Sequence, residues 1–328
     1  MNKMNWRNSI AILVLGLSAT TFAQSNLLNA KTPDQIGKKT EAELSADNDK
    51  PLPYGYVHDR DILMGKRIWE YVDLDERVNF PLYFPIEGDV MSSPDRRPLY
   101  NVLINGIKEG KITEVYDSSY FTTKKTLKDI EASLFKIDTS DAGREQMNED
   151  INAYRTRTEK RFVGKGKDRR EESVTIEATK KISDEFIRKT EIEASNVSAY
   201  KIVGYWYFDK RQGELKYRLL GICPVVPDVY EMDKPDPEIV ELFWVYFPST
   251  RDILHESKAF NNRNSAMPFS FDHLLNARRF SGMIYLEENV YGDRKIADYM
   301  KENAQMQLLE SDRVKEKIRD FEQDMWNY

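Results

Sequence analysis

Alternating and helical spacings of apolar residues divide the chain into predicted strands and helices from residue 51 onward. Ile62–Leu74 carries Trp69 and Val72 in a partly alternating pattern, which predicts a strand. After Pro98 the apolar residues keep helical spacing, and Gly110 is suited to end a helix. We therefore expect a helix between these two residues.

Three further segments complete a first mixed lobe, residues 51–140. Phe80–Pro85 places aromatic residues between two prolines, which predicts an edge strand or a buried loop. Ile112–Tyr116 is expected to form a short strand. Thr126 and Asp129 have the spacing of a capping box, so a second helix should begin directly after Thr126.

Residues 197–292 form a second predicted lobe that is rich in strands at its start. Aromatic and alternating segments flank Asp209–Gly213, which indicates an antiparallel hairpin. Ile239–Phe247 has high strand propensity, and Met283–Leu286 is predicted as a later strand. Ser270 is placed to cap a helix between them.

The C-terminal segment, residues 293–328, reads as a long polar helix with one narrow apolar stripe. Val314, Ile318, Phe321 and Met325 follow one another at the spacing of a single helix face. Such a stripe packs on the chain's own core or docks onto a neighbouring protein, and the sequence leaves both readings open.

A charged insertion, residues 141–196, separates the two lobes. Residues 155–170 hold eight basic and two acidic side chains, and residues 171–193 hold seven acidic and four basic ones. The insertion is either a solvent-exposed segment without a binding role or a docking surface for a partner or another copy. Under the docking hypothesis, the candidate interface residues, together with two from the C-terminal stripe, are Arg155, Arg157, Arg161, Lys165, Arg169, Arg170, Phe321 and Met325.

These patterns together predict an α+β fold. We expect two small mixed lobes with antiparallel strands, a charged insertion and a long C-terminal helix.

The N-terminus has the composition of a cleavable secretory signal, residues 1–23. Lys3 and Arg7 precede the apolar run Ile10–Leu17, and small residues follow it. The run is about half of the roughly 20 residues that span a bilayer, so a retained membrane anchor is disfavoured. Removing the two basic residues would change the net charge from −6 to −8. Residues 24–50 are polar and aperiodic, and we expect a flexible arm there.

Composition and charge exclude several classes of protein. The 328 residues carry 49 Lys and Arg against 55 Asp and Glu, and this acidic balance argues against a nucleic-acid binder. The hydrophobic fraction of 40% is enough to form a core. A single cysteine, Cys223, excludes an internal disulfide framework and any multi-thiolate metal site.

Candidates for catalysis are sparse, and we assign no catalytic, cofactor-binding or metal-binding residue. The histidines are His58, His255 and His273, and none stands in a recognised catalytic or metal-binding motif. Asp252 lies one helical turn from His255 without a third ligand. Strand aromatics and arginines fit a binding protein better, although most such aromatics should be core; they include Trp69, Trp206, Trp244, Arg96, Arg97, Arg251, Arg278 and Arg279.

A series of segments, in a consistent order over most of the chain, resembles one protein family. The segments are Ile68–Pro85, Arg97–Tyr100, Glu109–Thr113, Trp206–Asp209, Phe243–Pro248, Arg251, Phe260–Asn261, Asn264, Ser270–Asp272, Arg279–Phe280 and Asn289–Tyr291. Together they resemble the GldN family (PorN in non-gliding relatives), which belongs to the type IX secretion and gliding-motility machinery of Bacteroidota.

This resemblance implies a non-enzymatic structural role in the periplasm, at the inner face of the outer membrane. GldN-like proteins bind an outer-membrane lipoprotein, GldK (PorK), and many copies of both build a ring near the periplasmic part of the motor protein GldM (PorM). Contact with the membrane would then be indirect, through the lipoprotein. The alternatives are a periplasmic peptidoglycan- or glycan-binding adaptor and, less favoured, a secreted hydrolase.

Overall fold

The computed structural model of the chain describes residues 50–86, 97–149, 157–163, 170–176, 184–261, 269–301 and 303–326. The predicted signal and arm therefore lie outside the described residues, apart from Lys50. The strands are β1 (Ile62–Asp73), β2 (Val115–Tyr116), β3 (Phe135–Thr139), β4 (Arg157–Val163), β5 (Arg170–Ile176), β6 (Ile187–Glu191), β7 (Ala199–Asp209), β8 (Glu214–Pro227), β9 (Ile239–Glu241), β10 (Trp244–Tyr246), β11 (Lys258–Ala259), β12 (Phe269–Ser270) and β13 (Met283–Glu287).

The described helices have ten residues or fewer, with one exception of 23 residues at the C-terminus. They are α1 (Phe80–Tyr83), α2 (Leu99–Lys108), α3 (Leu127–Leu134), α4 (Asp141–Glu149), α5 (Arg251–Glu256), α6 (Phe271–Asn276), α7 (Ile296–Tyr299) and α8 (Ala304–Trp326). Short 3₁₀ turns occupy Asp59–Asp61, Arg77–Asn79, Asp184–Phe186, Ala194–Asn196 and Phe247–Ser249.

A seven-stranded antiparallel sheet forms the centre of the molecule, in the order β13-β1-β7-β8-β10-β2, with β9 paired to the end of β8. The β1–β7 ladder runs from Ile62 opposite Asp209 to Asp73 opposite Ala199. Strands β1 and β2 come from the first predicted lobe, and the other strands of this sheet come from the second. The α+β class, the antiparallel strands and the C-terminal helix are confirmed.

Local sequence signals account for several element ends. The Thr126 hydroxyl accepts a hydrogen bond from the Asp129 N–H, and the Asp129 carboxylate accepts from the Thr126 N–H, so the predicted capping box at α3 is confirmed. The Ser270 hydroxyl likewise caps α6 by accepting from the His273 N–H at 3.1 Å. The β7–β8 hairpin is confirmed as well, and its turn ends at Gly213 with φ of 64°.

Two predicted strand segments differ from the structure. The segment Phe80–Pro85 begins with helix α1, because Pro81 lies in the first helical turn, where its missing N–H removes no hydrogen bond. The segment Ile239–Phe247 is divided into two short strands. Leu242 and Phe243 lie between them and both belong to the largest buried cluster, whereas neighbouring residues of a regular strand point to opposite faces of the sheet.

The core lies on both faces of the central sheet. Tyr200 and Ile202 of β7 belong to the largest buried cluster, to which α2, α5 and α6 contribute. The next residue, Val203, belongs to a second cluster with Trp69 and Trp244. Because successive strand residues point to opposite faces, these two clusters lie on opposite sides of the sheet.

Helix α8 packs along β13, the outermost strand of the sheet. Val314 and Ile318 of the predicted stripe are buried in a third cluster with Ile284. The buried Ser311 hydroxyl accepts a hydrogen bond from the Ile284 N–H at 2.8 Å. A backbone group on the outer edge of the sheet is thus satisfied by a helix side chain, and Lys295 bridges the same edge at Leu286.

Ser311→Ala is expected to destabilise the fold by about 1–3 kcal/mol, because it leaves the buried Ile284 N–H without an acceptor. Urea unfolding of the full chain measures this difference. Ser133→Ala is the matched control, since the Ser133 hydroxyl donates only to Asp129 O within its own helix. Equal stability of the two variants would contradict this role for Ser311.

Candidate functional site

A buried ion pair lies on β1, the strand next to the outermost strand β13. Glu70 of β1 is 1% exposed, and it pairs with Arg278 through two hydrogen bonds of 2.9 and 2.7 Å. The Arg278 guanidinium carbon also lies 5.1 Å from the Trp206 ring centre, 4.2 Å from Tyr217 and 5.2 Å from Phe280. Three aromatic rings and one carboxylate therefore surround this cation.

Backbone geometry brings Arg278 to this position. It lies two residues after the end of α6, next to the C-cap Ala277, and has a φ of 49°, a left-handed conformation that ends the helix and turns the chain toward β13. On the sheet, Gly204 leaves space for the Tyr217 ring, since a Cβ at Gly204 would overlap the Tyr217 hydroxyl. The pair is thus enclosed by the fold, and it serves as a structural centre of the protein.

An open cleft of about 900 Å³ lies beside this ion pair, and residues 50–57 line it. We call residues 50–57 the strap and this space the arginine cleft. The Tyr54 ring of the strap lies between two guanidinium groups, 4.5 Å from that of Arg218 and 4.2 Å from that of Arg251. Its hydroxyl donates a hydrogen bond to Asn276 Oδ1 at 2.8 Å. Tyr54 is therefore the anchoring side chain of the strap.

The wall behind Tyr54 is held by a hydrogen-bonded network. Arg251 donates to both carboxylate oxygens of Asp272, at 2.7 and 3.1 Å. Asn276 Nδ2 donates to Asp272 Oδ1 at 2.8 Å and to Asp272 O at 2.9 Å. The hydrogen bond to Asp272 raises the pKa of Arg251 above its ordinary value. The network fixes the orientation of the Arg251 plane against the ring of the strap.

Arg218 and one further arginine, Arg211, also hold the strap by its main chain. Arg218 Nη2 donates to Gly55 O at 3.1 Å, and Arg211 Nη2 donates to Tyr56 O at 2.9 Å. The Arg211 Nε lies 3.2 Å from Asp61 Oδ2, which orients this side chain. Cations that bind main-chain oxygens and stack on a ring suit an extended peptide, and the cleft has the chemistry of a peptide-binding surface.

A second exposed feature is the loop at 289–293. The Asn289 side chain accepts from the Tyr291 N–H, and Asp293 accepts from both the Asn289 N–H and the Tyr120 hydroxyl. The loop is therefore tied down, yet it leaves Val290 92% and Tyr291 80% exposed. Exposed apolar side chains on an ordered loop are typical of protein contact surfaces.

The predicted interface residues fall in three places. Arg155, Lys165 and Arg169 lie outside the described residues. Arg157 and Arg161 lie on β4 and Arg170 begins β5; in this hairpin, Arg161 stands opposite Glu172 and Arg170 opposite Val163. Phe321 and Met325 are half-buried on α8, and the Phe321 ring lies 6.0 Å from the Phe208 ring. The described part of the insertion also includes α4 and β6, and β6 pairs with β3 of the first predicted lobe.

The other binding candidates separate into core and cleft residues. Trp69 and Trp244 are buried, so these strand aromatics belong to the core. Arg251 and Arg278 are each paired with a carboxylate of the chain, whereas Arg279 is exposed over the Phe269 ring. Tyr54 and Arg218 of the cleft were not singled out from the sequence. They lie more than 150 residues apart along the chain, and no local pattern connects them.

The histidines of the described residues lie in two places. His255 and His273 line the arginine cleft, whereas His58 caps the turn Asp59–Asp61. Within the described ranges, no three His, Cys, Asp or Glu residues are grouped to hold a metal ion. Burial raises the pKa of the Cys223 thiol well above its ordinary value, which makes it an unreactive core residue.

The comparison with known families assigns the chain. A family model described as "Gliding motility associated protein GldN" matches residues 57–327. The chain belongs to the GldN family. It is therefore a component of the gliding-motility and type IX secretion machinery. A comparison with curated proteins gave no match. Among the described residues of this GldN protein, no helix is both long and apolar enough to cross a membrane.

Arg278→Ala is expected to lower the free energy of unfolding by about 3 kcal/mol or more, because it leaves the Glu70 carboxylate buried and unpaired. Denaturant unfolding measures the change. Arg279→Ala is the matched control, because Arg279 is the next residue along the chain and its side chain is exposed. A loss of similar size in both variants would show that the ion pair is not the cause.

Tyr54 provides a test of the strap in solution. Burial raises the pKa of Tyr54 from 10.0 to about 12. Because the pKa is raised in the folded state, the neutral Tyr54 hydroxyl stabilises the fold. This stabilisation is fully present below pH 10 and is lost as the pH rises from 10 to about 12. NMR of ring-labelled tyrosine, with Tyr54→Phe to assign the signal, should give a midpoint near 12. The same signal should titrate near 10 in the urea-unfolded chain, and a midpoint near 10 in the folded chain would contradict the observed packing.

Proposed function

We propose that this GldN protein is a non-enzymatic structural subunit of the type IX secretion machinery in the periplasm. In this proposal it assembles with a GldK-like outer-membrane lipoprotein into a ring that is needed for protein export and adhesin delivery, close to the periplasmic segment of a GldM-like motor protein. The family match over residues 57–327 is the observation that carries the proposal. The signal-like residues 1–23 support export from the cytoplasm.

The site geometry supports a structural role. The arginine cleft offers ring-stacking cations and donors for main-chain oxygens, and the 289–293 loop offers exposed apolar side chains. Both features suit recognition of another chain. A ring also requires two different contact surfaces on each copy, because identical faces on a two-fold axis produce closed dimers.

We further propose that the β4–β5 hairpin of the charged insertion contributes to contacts between copies. Arg157 and Arg161 lie on β4, whereas Glu171 and Glu172 lie on β5. The two strands therefore carry opposite charges, and a basic strand of one copy is complementary to an acidic strand of the next.

Co-purification tests the proposal as a whole. The full-length protein, expressed with its lipoprotein partner in the native envelope, should be recovered with that lipoprotein from outer-membrane fractions. Its mature N-terminus should begin at Gln24, and negative-stain microscopy should show ring-shaped particles. A monomer that binds a peptidoglycan fragment tightly and no lipoprotein would favour the glycan-binding alternative instead.

Charge reversal tests the hairpin. Arg157→Glu combined with Arg161→Glu should reduce the yield of rings about tenfold or more, since two attractive contacts per copy become repulsive. The matched control is Lys315→Glu with Arg319→Glu, which makes the same charge change on exposed positions of α8. Intact rings from the hairpin variant, or equal losses in both variants, would contradict a specific role for β4.

A further inference from the structure

The strap lies on the surface of the molecule, and few contacts hold it in the arginine cleft. Its contacts with the cleft include the Tyr54 side chain and the main-chain oxygens of Gly55 and Tyr56. The side chains of Leu52 and Tyr56 are 82% and 79% exposed. Tyr54 is the strap residue that packs against the largest buried cluster, and no strap residue belongs to the ladders of the central sheet, so departure of the strap would leave these ladders intact.

The cleft that receives the strap is built by other parts of the chain. Arg251, Asp272 and Asn276 hold one another on α5 and α6, and these bonds do not involve the strap. Arg218 projects from β8 and Arg211 from the turn before it, where Asp209 of β7 lies 3.6 Å from Arg211 Nε and orients it. The slot for an aromatic ring is therefore preorganised, and an equivalent peptide would bind it without new folding.

The connection between the strap and the sheet is short. Only His58–Asp61 separates the strap from β1, so a change of path at these four residues would redirect it away from its own cleft. An identical strap from another copy would make the same contacts. Exchange of an identical element between copies requires no new interface chemistry, and it is favoured when copies are held close together.

We propose that the strap of one copy occupies the arginine cleft of the next copy in an assembly. The inference rests on the proposed ring, and it names one of the contacts between its copies. Strap and cleft are different surfaces of each copy, so the exchange runs head to tail. Each copy then gives one strap and receives one, which a closed ring permits for every member.

Cysteine cross-linking tests this exchange in the full-length protein. Cys223 is the sole native cysteine and is buried, so a cross-linker will react with the introduced thiols and not with Cys223. Copies with Tyr56→Cys and one affinity tag are assembled with copies carrying Gln212→Cys and a second tag, in the presence of the lipoprotein. Gln212 lines the cleft next to Arg211. A short bismaleimide should join the two tags within one ring.

The control replaces Tyr56→Cys by Tyr291→Cys, an equally exposed tyrosine that does not line the cleft. It should give about tenfold less of the two-tag product at equal concentration. Equal yields would overturn the proposal, because random encounters would then explain the product.

Chains that carry both Tyr56→Cys and Gln212→Cys separate the remaining outcomes. If rings form but each of these chains is cross-linked only to itself, the proposed strap exchange is overturned while the proposed ring is supported. Closed dimers with two exchanged straps would overturn the head-to-tail form. A protein that stays monomeric beside its lipoprotein would overturn the ring and the exchange together.

A side-chain substitution provides a second measurement. Tyr54→Ala removes the ring between the two guanidinium groups and should weaken the exchanged contact about tenfold, measured as the two-tag product. Tyr56→Ala is the matched control on the same strap, because that side chain is largely exposed. Because Tyr56 is itself substituted in the control, the copies that donate the strap carry their thiol at Leu52→Cys in both variants. The copies that carry Gln212→Cys are the same in both. Equal yields from the two variants would overturn the role of Tyr54.

Discussion

A buried carboxylate on the first long strand must be neutralised, and this requirement organises much of the structure. Glu70 is almost fully buried on β1, next to the outermost strand β13, where an unpaired charge would be strongly destabilising. Arg278 pairs with it from 208 residues further along the chain. To make this contact, the chain must end α6 in a left-handed residue and return as β13 beside β1. The ion pair therefore joins the first long strand to the turn between α6 and β13.

Elements determined by neighbouring residues were predictable from the sequence. The capping box at Thr126, the cap at Ser270 and the hairpin turn ending at Gly213 each depend on a few adjacent side chains or on one glycine. The segment Ile239–Phe247 was harder to predict, because two consecutive apolar residues, Leu242 and Phe243, both pack into the same buried cluster, and this interrupts the strand. Local propensity is overridden where the core requires a particular side chain.

The arginine cleft was even harder to predict from the sequence, because its residues come from distant parts of the chain. Arg251 was singled out from the sequence as a possible surface residue, but its partner Asp272 is identified only when α5 and α6 pack together. Tyr54 completes the site from outside every predicted helix and strand. Charge pairs and ring stacking between distant segments leave no periodic pattern. The family was recognisable nonetheless, because a long ordered series of segments constrains identity more than any single site does.

The Ser311 hydroxyl has a consequence for how copies of this protein can associate. By satisfying the Ile284 N–H, it removes a donor on which a foreign strand would otherwise add to the outer edge of β13. Proteins kept at high local density risk open-ended fibre growth through such edges. With this edge occupied by α8, growth by strand addition at β13 is suppressed. The size of any assembly then depends on contacts whose angles allow it to close.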